Sequence, residues 1–367
     1  MSFLEVNDLS VTFDTDSGTV HAVDDVSFDV SRGETVCIVG ESGSGKTVTS
    51  ESVTRLIREP PGHVSADRVD FEGEDLLSFS KRRLREVRGS RIAHVFQNPQ
   101  GSLNPVYTVG RQIREAIRLH EDVSKRDARE RSVELLHRVG IPKAGERFDD
   151  YPHEFSGGQK QRIVIAMAVA SNPDLLIADE PTTALDVTIQ AQILGLLRDL
   201  QDEYGMSLLL ITHDLGVVAE VADRVVVMYA GKVMETGDVF EVFEQPSHPY
   251  TQALLDCLPG RRDGTDGIPG TLPDATDPPA GCRFAPRCPH AIDTCHQGEH
   301  PSPVPVAEGS EDHTAACLFH HAGYDAETVM RSETGEESTH ATGEESNGAA
   351  PGSRPGDGTR ADGGDDR

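Results

Sequence analysis

The chain has 367 residues, a length that can bury the core of one large domain or of two domains. Its 34 Lys and Arg residues against 62 Asp and Glu residues give a formal charge of −28, which repels nucleic acid and argues against proteins that act on DNA. No apolar run approaches the about 20 residues that cross a bilayer, and the first residues show no secretory signal pattern, so we expect a protein that stays in the cytoplasm and does not span the membrane itself.

The excess of acidic residues also suggests the salt concentration in which the protein works. Lysines are few, tryptophan is absent, and acidic residues occur along the whole chain. A cytoplasm with very high salt would screen the self-repulsion of such a surface, so we predict a halophilic protein. An ordinary acidic protein is the alternative, and stability that rises steeply with KCl would favour the halophilic one.

Residues 4–30 alternate between apolar and polar side chains on both sides of a turn at residues 16–18. This alternation predicts a small antiparallel sheet. Phe13 lies in the first of its strands, upstream of Gly40. A ring at this position can stack on a purine, and a place in the core of the sheet is the alternative.

A glycine-rich segment follows the apolar run 36–39 and precedes a stretch that can begin a helix. Its residues are Gly40, Glu41, Ser42, Gly43, Ser44, Gly45, Lys46 and Thr47. When such a loop lies between a strand and a helix, its backbone N–H groups and the helix N-terminus can hold phosphate oxygens. Lys46 adds positive charge for the β- and γ-phosphates, and Thr47 can ligate Mg²⁺. An ordinary glycine-rich turn is the alternative.

The next part of the chain predicts a hairpin, a basic helix at 81–88 with a solvated face, and a strand at 91–96. From 109 to 140 the pattern is helical, with Ser124 as the N-cap and Gly140 just beyond the C-terminus. This block interrupts the alternation of strands and helices, so we predict an inserted helical subdomain at about 102–165.

Strands and helices then alternate regularly. We predict helices at 159–171 and 187–204 and strands at 175–178, 207–212 and 224–229, which together indicate a parallel sheet covered on both faces. The strand at 175–178 is followed by Asp179 and Glu180. Beside a phosphate loop, the first carboxylate can hold Mg²⁺ and the second can deprotonate an attacking water.

The segment Phe155-Ser156-Gly157-Gly158-Gln159, located between Lys46 and Asp179, resembles the signature motif of ATP-binding-cassette ATPases, with Phe where Leu is commonest. The resemblance implies that this second anion-binding helix start covers ATP held by the phosphate loop of a partner subunit. It also implies an α/β P-loop NTPase fold with an N-terminal antiparallel β-subdomain, the inserted helical subdomain and a small Cys-rich C-terminal module.

Other family elements occur in the same order. Gln97 matches the Q-loop, residues 184–186 match the D-loop, His213 matches the switch histidine, and Phe13 matches the aromatic residue that stacks on adenine. The resemblance therefore assigns catalysis to Glu180, His213, Gln97 and Lys46, and Mg²⁺ to Thr47, Gln97 and Asp179. For ATP binding it assigns Phe13, residues 40–47, Ser156, Gly157, Gly158, Gln159 and Asp186.

The segment Gln245 to Leu255, followed by Pro259, narrows the resemblance to the ATP-binding subunits of dipeptide and oligopeptide importers, a group that includes nickel importers. The resemblance covers about residues 4–319. It implies ATP hydrolysis that powers import of peptides or a related small solute, at the cytoplasmic face of the membrane. The implied partners are a second similar ATPase, two permeases and, indirectly, an extracellular binding protein, with no nucleic acid.

Two other functions remain open at this point. The same machinery could import nickel or another non-peptide solute. A soluble cassette ATPase that does not transport is the remoter alternative, although such proteins usually carry coiled coils or a second cassette, which this sequence lacks.

Four of the six cysteines cluster late in the sequence, at Cys282, Cys288, Cys295 and Cys317. A cytoplasmic setting disfavours disulfides, and the spacing lacks the close pairs of zinc ribbons, so a metal, a cluster or free thiols remain. Importer subunits of this type carry a similar pattern, and in some it holds a [4Fe-4S] cluster. We therefore expect this cluster here, with zinc and free thiols as alternatives and His313 as a possible substitute ligand.

The remaining cysteines, Cys37 and Cys257, are expected to be inert core thiols. We predict an ATP-binding domain at 1–258, a peptide-transporter-type region with the cysteines at 259–322, and a disordered acidic tail at 323–367, because the tail has almost no large apolar side chains. A redox sensor built on the cysteine region is a further hypothesis.

Overall fold

The structure, a computed structural model, describes residues 2–183, 185–258, 267–307, 309–310 and 312–330. Its strands are β1 (Leu4–Thr15), β2 (Gly18–Val30), β3 (Thr35–Val39), β4 (Gly62–Ser65), β5 (Arg68–Phe71), β6 (Glu74–Asp75), β7 (Ile92–Val95), β8 (Leu175–Asp179), β9 (Ser207–Thr212), β10 (Arg224–Tyr229), β11 (Lys232–Asp238), β12 (Val304–Pro305) and β13 (Thr314–Ala315). Its helices are α1 (Lys46–Val53), α2 (Lys81–Val87), α3 (Pro99–Ser102), α4 (Val109–His120), α5 (Lys125–Arg138), α6 (Ala144–Arg147), α7 (Gly157–Ala168), α8 (Val187–Tyr204), α9 (Leu215–Val221), α10 (Val239–Glu244) and α11 (Pro249–Asp256).

The N-terminal strands form the predicted antiparallel sheet, in the order β2-β1-β5-β6 with β4 also paired to β1. The apolar alternation in β1 shifts by one residue between Val6 and Leu9, where the pairing with β2 is irregular. Asp8 lies between them with φ of 51°. A bulge at this position keeps both Val6 and Leu9 on the buried face.

The larger sheet has the order β12-β13-β11-β10-β3-β9-β8-β7. Strands β10, β3, β9, β8 and β7 are parallel neighbours. Every residue of β3 and β8 is buried, which explains why these strands are continuous apolar runs rather than alternating ones. Because the strands are parallel, the segments that follow β3, β7, β8 and β9 all meet at one edge of the sheet.

The predicted helical subdomain lies between β7 and β8 and contains α3 to α7. Its caps follow the sequence signals: the Ser124 side chain accepts a hydrogen bond from the backbone N–H of Asp127, and Gly140 has φ of 79° just after α5. Helix α7 begins two residues earlier than predicted because Ser156 and Gln159 form a capping box.

The cysteine-containing region packs into the same core as the ATP-binding part. Strand β13 pairs with β11, and the Phe284 ring lies 5.3 Å from the rings of both Tyr229 and Tyr250. The described residues between 2 and 330 accordingly group as one compact unit. The predicted boundary near residue 258 therefore does not separate two independent cores.

The predicted start of the disordered tail differs from the structure. Val329 is only 1% exposed and packs in the main core, so residues 323–330 belong to the folded part. The rest of the predicted tail, residues 331–367, lies outside the described residues, as do Ala184 and Pro259.

Two helical glycines differ in the space around them. A Cβ added at Gly110 in α4 would overlap the ring of Phe148, whereas a Cβ added at Gly195 in α8 would meet nothing within 4 Å. We expect Gly110→Ala to lower the free energy of unfolding by about 1–3 kcal/mol through overpacking. We expect Gly195→Ala to raise it by about 0.5–1 kcal/mol, because alanine loses less backbone entropy in a helix.

Urea unfolding of the two variants measures both changes. Equal stabilities for the two variants would contradict the tight packing of α4 against Phe148.

Candidate nucleotide-binding site

A cavity of about 270 Å³ lies where β3 ends and α1 begins. Its lining includes loop residues, three of the four predicted catalytic residues, part of β2 and a segment of the C-terminal region. The lining residues are Val20, His21, Ala22, Ser42, Gly43, Gly45, Lys46, Thr47, Val48, Gln97, Glu180, Ala230, Leu272, Pro273, Asp274, Ala275, Pro278 and Arg283.

The glycine-rich loop connects β3 to α1 as the sequence predicted, and two of its glycines are required by close approach. A Cβ at Gly40 would overlap the carbonyl oxygen of Met228, and a Cβ at Gly45 would overlap that of Ala22. Gly45 is also the N-cap of α1, with φ of 100°. The loop thus follows the neighbouring backbone closely and leaves the N-terminus of α1 facing the cavity.

Lys46 is 5% exposed and lies inside the loop. Its Nζ donates to the carbonyl oxygens of Gly40 and Glu41, each at 2.8 Å. Burial lowers the pKa of Lys46, and the carboxylates of Glu180, Asp179 and Glu41 oppose this effect. The ammonium group is thus held at the mouth of the loop, where a bound phosphate would be its strongest partner.

Asp179 and Thr47 form the part of the site that fits a divalent cation. Burial raises the pKa of Asp179, and a hydrogen bond with Thr47 opposes that shift. The Asp179 Oδ1 atom is buried and has no hydrogen-bond partner among the described residues. A buried oxygen without a partner is costly, and Mg²⁺ or a water bound to it would satisfy this atom.

Glu180 is held in place by three side chains. Gln97 Nε2 donates to Glu180 Oε2 at 2.8 Å, Thr183 Oγ1 donates to the same oxygen at 2.9 Å, and His213 Nδ1 lies 3.0 Å from Oε1. Its backbone has φ of 45°, which is uncommon for a residue other than glycine and typical of functional sites. The structure therefore brings together Gln97, Glu180 and His213, which are 83 and 33 residues apart in sequence.

The ionisation of Glu180 follows from these contacts. Burial, the largest single influence, acts to raise its pKa, but the hydrogen bonds from His213, Thr183 and Gln97 outweigh it and lower the pKa below its ordinary value. Glu180 is thus a carboxylate at neutral pH, as a general base must be. Thr183 is a residue that the sequence analysis missed, although it lies three residues after Glu180.

The signature segment lies outside the lining of the cavity. Ser156 caps α7, Ser156 and Gly157 are exposed, and none of residues 156–159 lines the cavity. Leu185 Cδ2 lies 4.0 Å from a Cβ added at Gly157, and Asp186 accepts a hydrogen bond from Ile189 N as the N-cap of α8. Gly157 of the predicted signature and Leu185 of the predicted D-loop are therefore neighbours.

Phe13 does not line the cavity and instead lies against Gly62, so that a Cβ added there would be 3.1 Å from Phe13 Cε1. The contact of this ring with adenine stays a prediction. The sequence analysis also missed six residues that do line the cavity: Leu272, Pro273, Asp274, Ala275, Pro278 and Arg283. Their proline-rich sequence gave no signal of its own for a nucleotide.

The four late cysteines converge. Cys282, Cys295 and Cys317 are buried, and the backbone N–H of Cys282 donates to the Cys295 carbonyl at 2.9 Å. Burial raises the pKa of Cys282 to about 11 and that of Cys317 to about 12, and the neighbouring thiols, including Cys288, add to both shifts.

These thiols do not by themselves form a finished metal site. Among the residues described, no group of three or more His, Cys, Asp or Glu side chains is arranged to hold a metal ion. His313 is hydrogen-bonded to Glu235 instead of to the thiols, with its Nε2 2.8 Å from Glu235 Oε1. Cys37 is buried as expected, whereas Cys257 is exposed and is not a core thiol.

Family profiles match two parts of the chain. The ABC transporter family matches residues 23–183, and the oligopeptide/dipeptide transporter C-terminal region matches residues 234–295. The first match includes the loop, Glu180 and the signature, and the second includes three of the four late cysteines. In the described part of the chain, no helix is both long and apolar enough to cross a membrane.

Solved structures support the same fold. A dimeric post-hydrolysis ATP-binding cassette bound to ADP and Pi is 27% identical, with a TM-score of 0.56, and the match covers 64% of this chain and 98% of that one. The cassette cbiO1 of Clostridium perfringens, part of an ABC transporter complex, is 30% identical with a TM-score of 0.56 over 66% of this chain and 91% of its own.

Curated relatives are more similar. The oligopeptide transport ATP-binding protein of Bacillus subtilis is 54% identical over 81% of this chain and 84% of its own length. The dipeptide transport ATP-binding protein of Escherichia coli is 50% identical over 85% of this chain and 95% of its own. The chain therefore belongs to the family of peptide-import ATP-binding subunits of ABC transporters and is an ABC-type ATPase.

Proposed function

We propose that this chain hydrolyses ATP to drive import of dipeptides or oligopeptides and that Glu180 is its catalytic base. The observation that carries the proposal is the set of three hydrogen bonds that hold the Glu180 carboxylate beside the phosphate loop. Phosphoryl transfer needs little covalent chemistry from the protein, so a positioned base, a metal and a set of phosphate-binding groups make a nearly complete catalyst.

Each residue at the loop has a role in cis. Residues 40–47 bind the phosphates, with Lys46 at the β- and γ-phosphates, while Thr47, Asp179 and Gln97 would hold Mg²⁺ directly or through water. When bound, Mg²⁺ neutralises charge on the phosphate oxygens. Glu180 accepts a proton from the attacking water, and His213 orients Glu180 and contacts the γ-phosphate.

A second cassette would complete the site. Ser156, Gly157, Gly158 and Gln159 would grip the γ-phosphate of ATP bound to the partner, and Asp186 would cross the same interface. Ser156 and Gly157 are exposed and do not line the cavity of their own chain, which supports this role. The solved cassette at 27% identity is described as a dimer bound to ADP and Pi, which is consistent with it.

The partners follow from the same proposal. The chain would pair with a second homologous ATPase and dock on two permeases at the cytoplasmic face of the membrane, and an extracellular binding protein would deliver the solute. The names of the relatives from Bacillus subtilis and Escherichia coli favour oligopeptides or dipeptides over nickel.

We further propose that Cys282, Cys288, Cys295 and Cys317 hold a [4Fe-4S] cluster. Their convergence in a largely buried region supports the proposal, since four thiolates are the ligands that this cluster takes. The thiols would have to rearrange on binding, because among the described residues their present arrangement is not that of a metal site.

The base assignment predicts the behaviour of Glu180→Gln. The amide cannot accept the proton of the attacking water, so we expect ATP turnover to fall by about 10²–10⁴-fold while ATP binding persists. ATP binding by fluorescence titration and phosphate release measure the two effects. Glu115→Gln, an exposed change on α4, is the control. Turnover by Glu180→Gln at the parent rate would show that another group is the base.

The cluster proposal predicts metal content. Chain purified without oxygen should contain about four iron atoms and absorb visible light as iron–sulfur proteins do. Cys288→Ser should lower the iron content, whereas Cys257→Ser, which changes an exposed cysteine at the end of α11, should leave it unchanged. Zinc in place of iron, or no metal in the wild type, would contradict the proposal.

The charge of −28 predicts salt dependence. Raising KCl from about 0.1 M to about 1 M shortens the Debye length from about 10 Å to about 3 Å, so self-repulsion of the folded chain should weaken. We expect the thermal midpoint to rise by about 5–10 °C over this range, a gain of about 2–4 kcal/mol. A midpoint that stays constant or falls would indicate an ordinary acidic protein.

A further inference from the structure

Part of the lining of the cavity beside the phosphate loop does not come from the loop. These lining residues come from β2 and from the segment 272–278 of the C-terminal region, with Arg283 and Ala230 beside them. Phosphates would be held at Lys46 and the loop. The remainder of the nucleotide would then lie against the other lining residues of the cavity.

The segment 272–278 is fixed to the ATP-binding part by hydrogen bonds. The backbone N–H of His21 donates to the Ala275 carbonyl at 2.8 Å. Upstream of the segment, Arg287 donates to the carbonyl oxygens of Ile268 and Pro269 at 2.9 and 2.8 Å.

The same arginine binds the phosphate loop. Arg287 Nη1 lies 3.0 Å from Glu41 Oε2 and 3.1 Å from the Tyr229 hydroxyl, and its side chain is 5% exposed. One buried guanidinium therefore connects the start of the C-terminal segment to the loop that holds the phosphates. Such a connection fixes the distance between the two walls of the cavity.

The segment presents the chemistry of a nucleoside site rather than that of a phosphate site. Leu272 lies next to the loop, with its Cδ1 3.9 Å from a Cβ added at Gly43. Pro273, Ala275 and Pro278 are also apolar, and the charged group that the segment contributes to the lining is the Asp274 carboxylate, which repels phosphate. An apolar wall next to a hydrogen-bond acceptor suits a base and a ribose.

We infer that residues 272–278 form the wall that contacts the adenosine part of ATP, with Leu272 as its main apolar contact. The inference rests on the proposed ATP site. It assigns to the C-terminal region a direct part in nucleotide binding. Phe13 lies outside the lining of this cavity.

The experiment compares two ligands that differ only in the nucleoside. Binding of Mg-ATP and of magnesium tripolyphosphate to the full chain is measured by calorimetry for the wild type, Leu272→Ala, Phe13→Ala and Leu254→Ala. Leu254 in α11 is the matched control, because it is also partly buried but does not line the cavity. Leu272→Ala should raise the Kd for ATP by about five- to tenfold, the effect of losing one apolar contact.

The Kd for tripolyphosphate should stay within about twofold of the wild-type value in Leu272→Ala, and Leu254→Ala should change neither Kd to that extent. Equal weakening of both ligands by Leu272→Ala would overturn the inference, since Leu272 would then only shape the phosphate loop. Unchanged ATP binding in Leu272→Ala, with weakening in Phe13→Ala, would also overturn it. A wild type that binds tripolyphosphate but not ATP would overturn the inference and the proposed ATPase together.

Discussion

The site depends on the shared edge at which parallel strands end. Strands β3, β7, β8 and β9 are neighbours or near neighbours in one sheet. Backbone pairing alone therefore brings the loop, Gln97, the carboxylates at the end of β8 and His213 to one place. No side chain has to cross a long distance to reach the phosphates. The chemistry is therefore as rigid as the buried sheet that carries it.

A second constraint comes from the C-terminal region. Arg287 joins the segment at 268–269 to Glu41 of the loop, and Arg283, which is 5% exposed, pairs with Asp24 and donates to the Ala230 carbonyl at 2.6 Å. Both arginines flank the cysteines, at the positions after Cys282 and before Cys288. A change in the packing of the four thiols would therefore also shift the cavity wall and the phosphate loop, because Arg283 and Arg287 connect all three.

Much of this arrangement could be predicted from the sequence, because its signals come from residues that are close together in the chain. Helix α8 and strands β9 and β10 have the predicted bounds, since strong apolar periodicity and the turn at residue 205 mark them. The loop was recognisable because glycine spacing, a preceding apolar strand and a following helix are all consecutive in the chain. Gln97, Glu180 and His213 were assigned through the family resemblance, and the structure places their side chains together.

What the sequence could not give are contacts between distant segments with no periodic signal. Residues 272–278 consist of turn-forming and apolar residues, and nothing in them indicates that β2 and the loop lie opposite. The position of Phe13 had two interpretations of equal weight, because a strand aromatic serves the sheet core as well as a ligand. The exposure of Cys257 was missed because the helical pattern of α11 does not fix which way its C-terminal residue faces.

The buried carboxylate of Glu235 shows why the C-terminal region is not a separable addition. Glu235 in β11 is fully buried, and it accepts hydrogen bonds from the backbone N–H groups of Ser247 and His248, with His313 Nε2 2.8 Å from Oε1. A chain ending at residue 258 would keep the two backbone donors but lose His313. It would also uncover Tyr229 and Tyr250, which pack on Phe284. A buried carboxylate that loses a partner is strongly destabilising, so β11 and the residues around His313 fold as parts of one core.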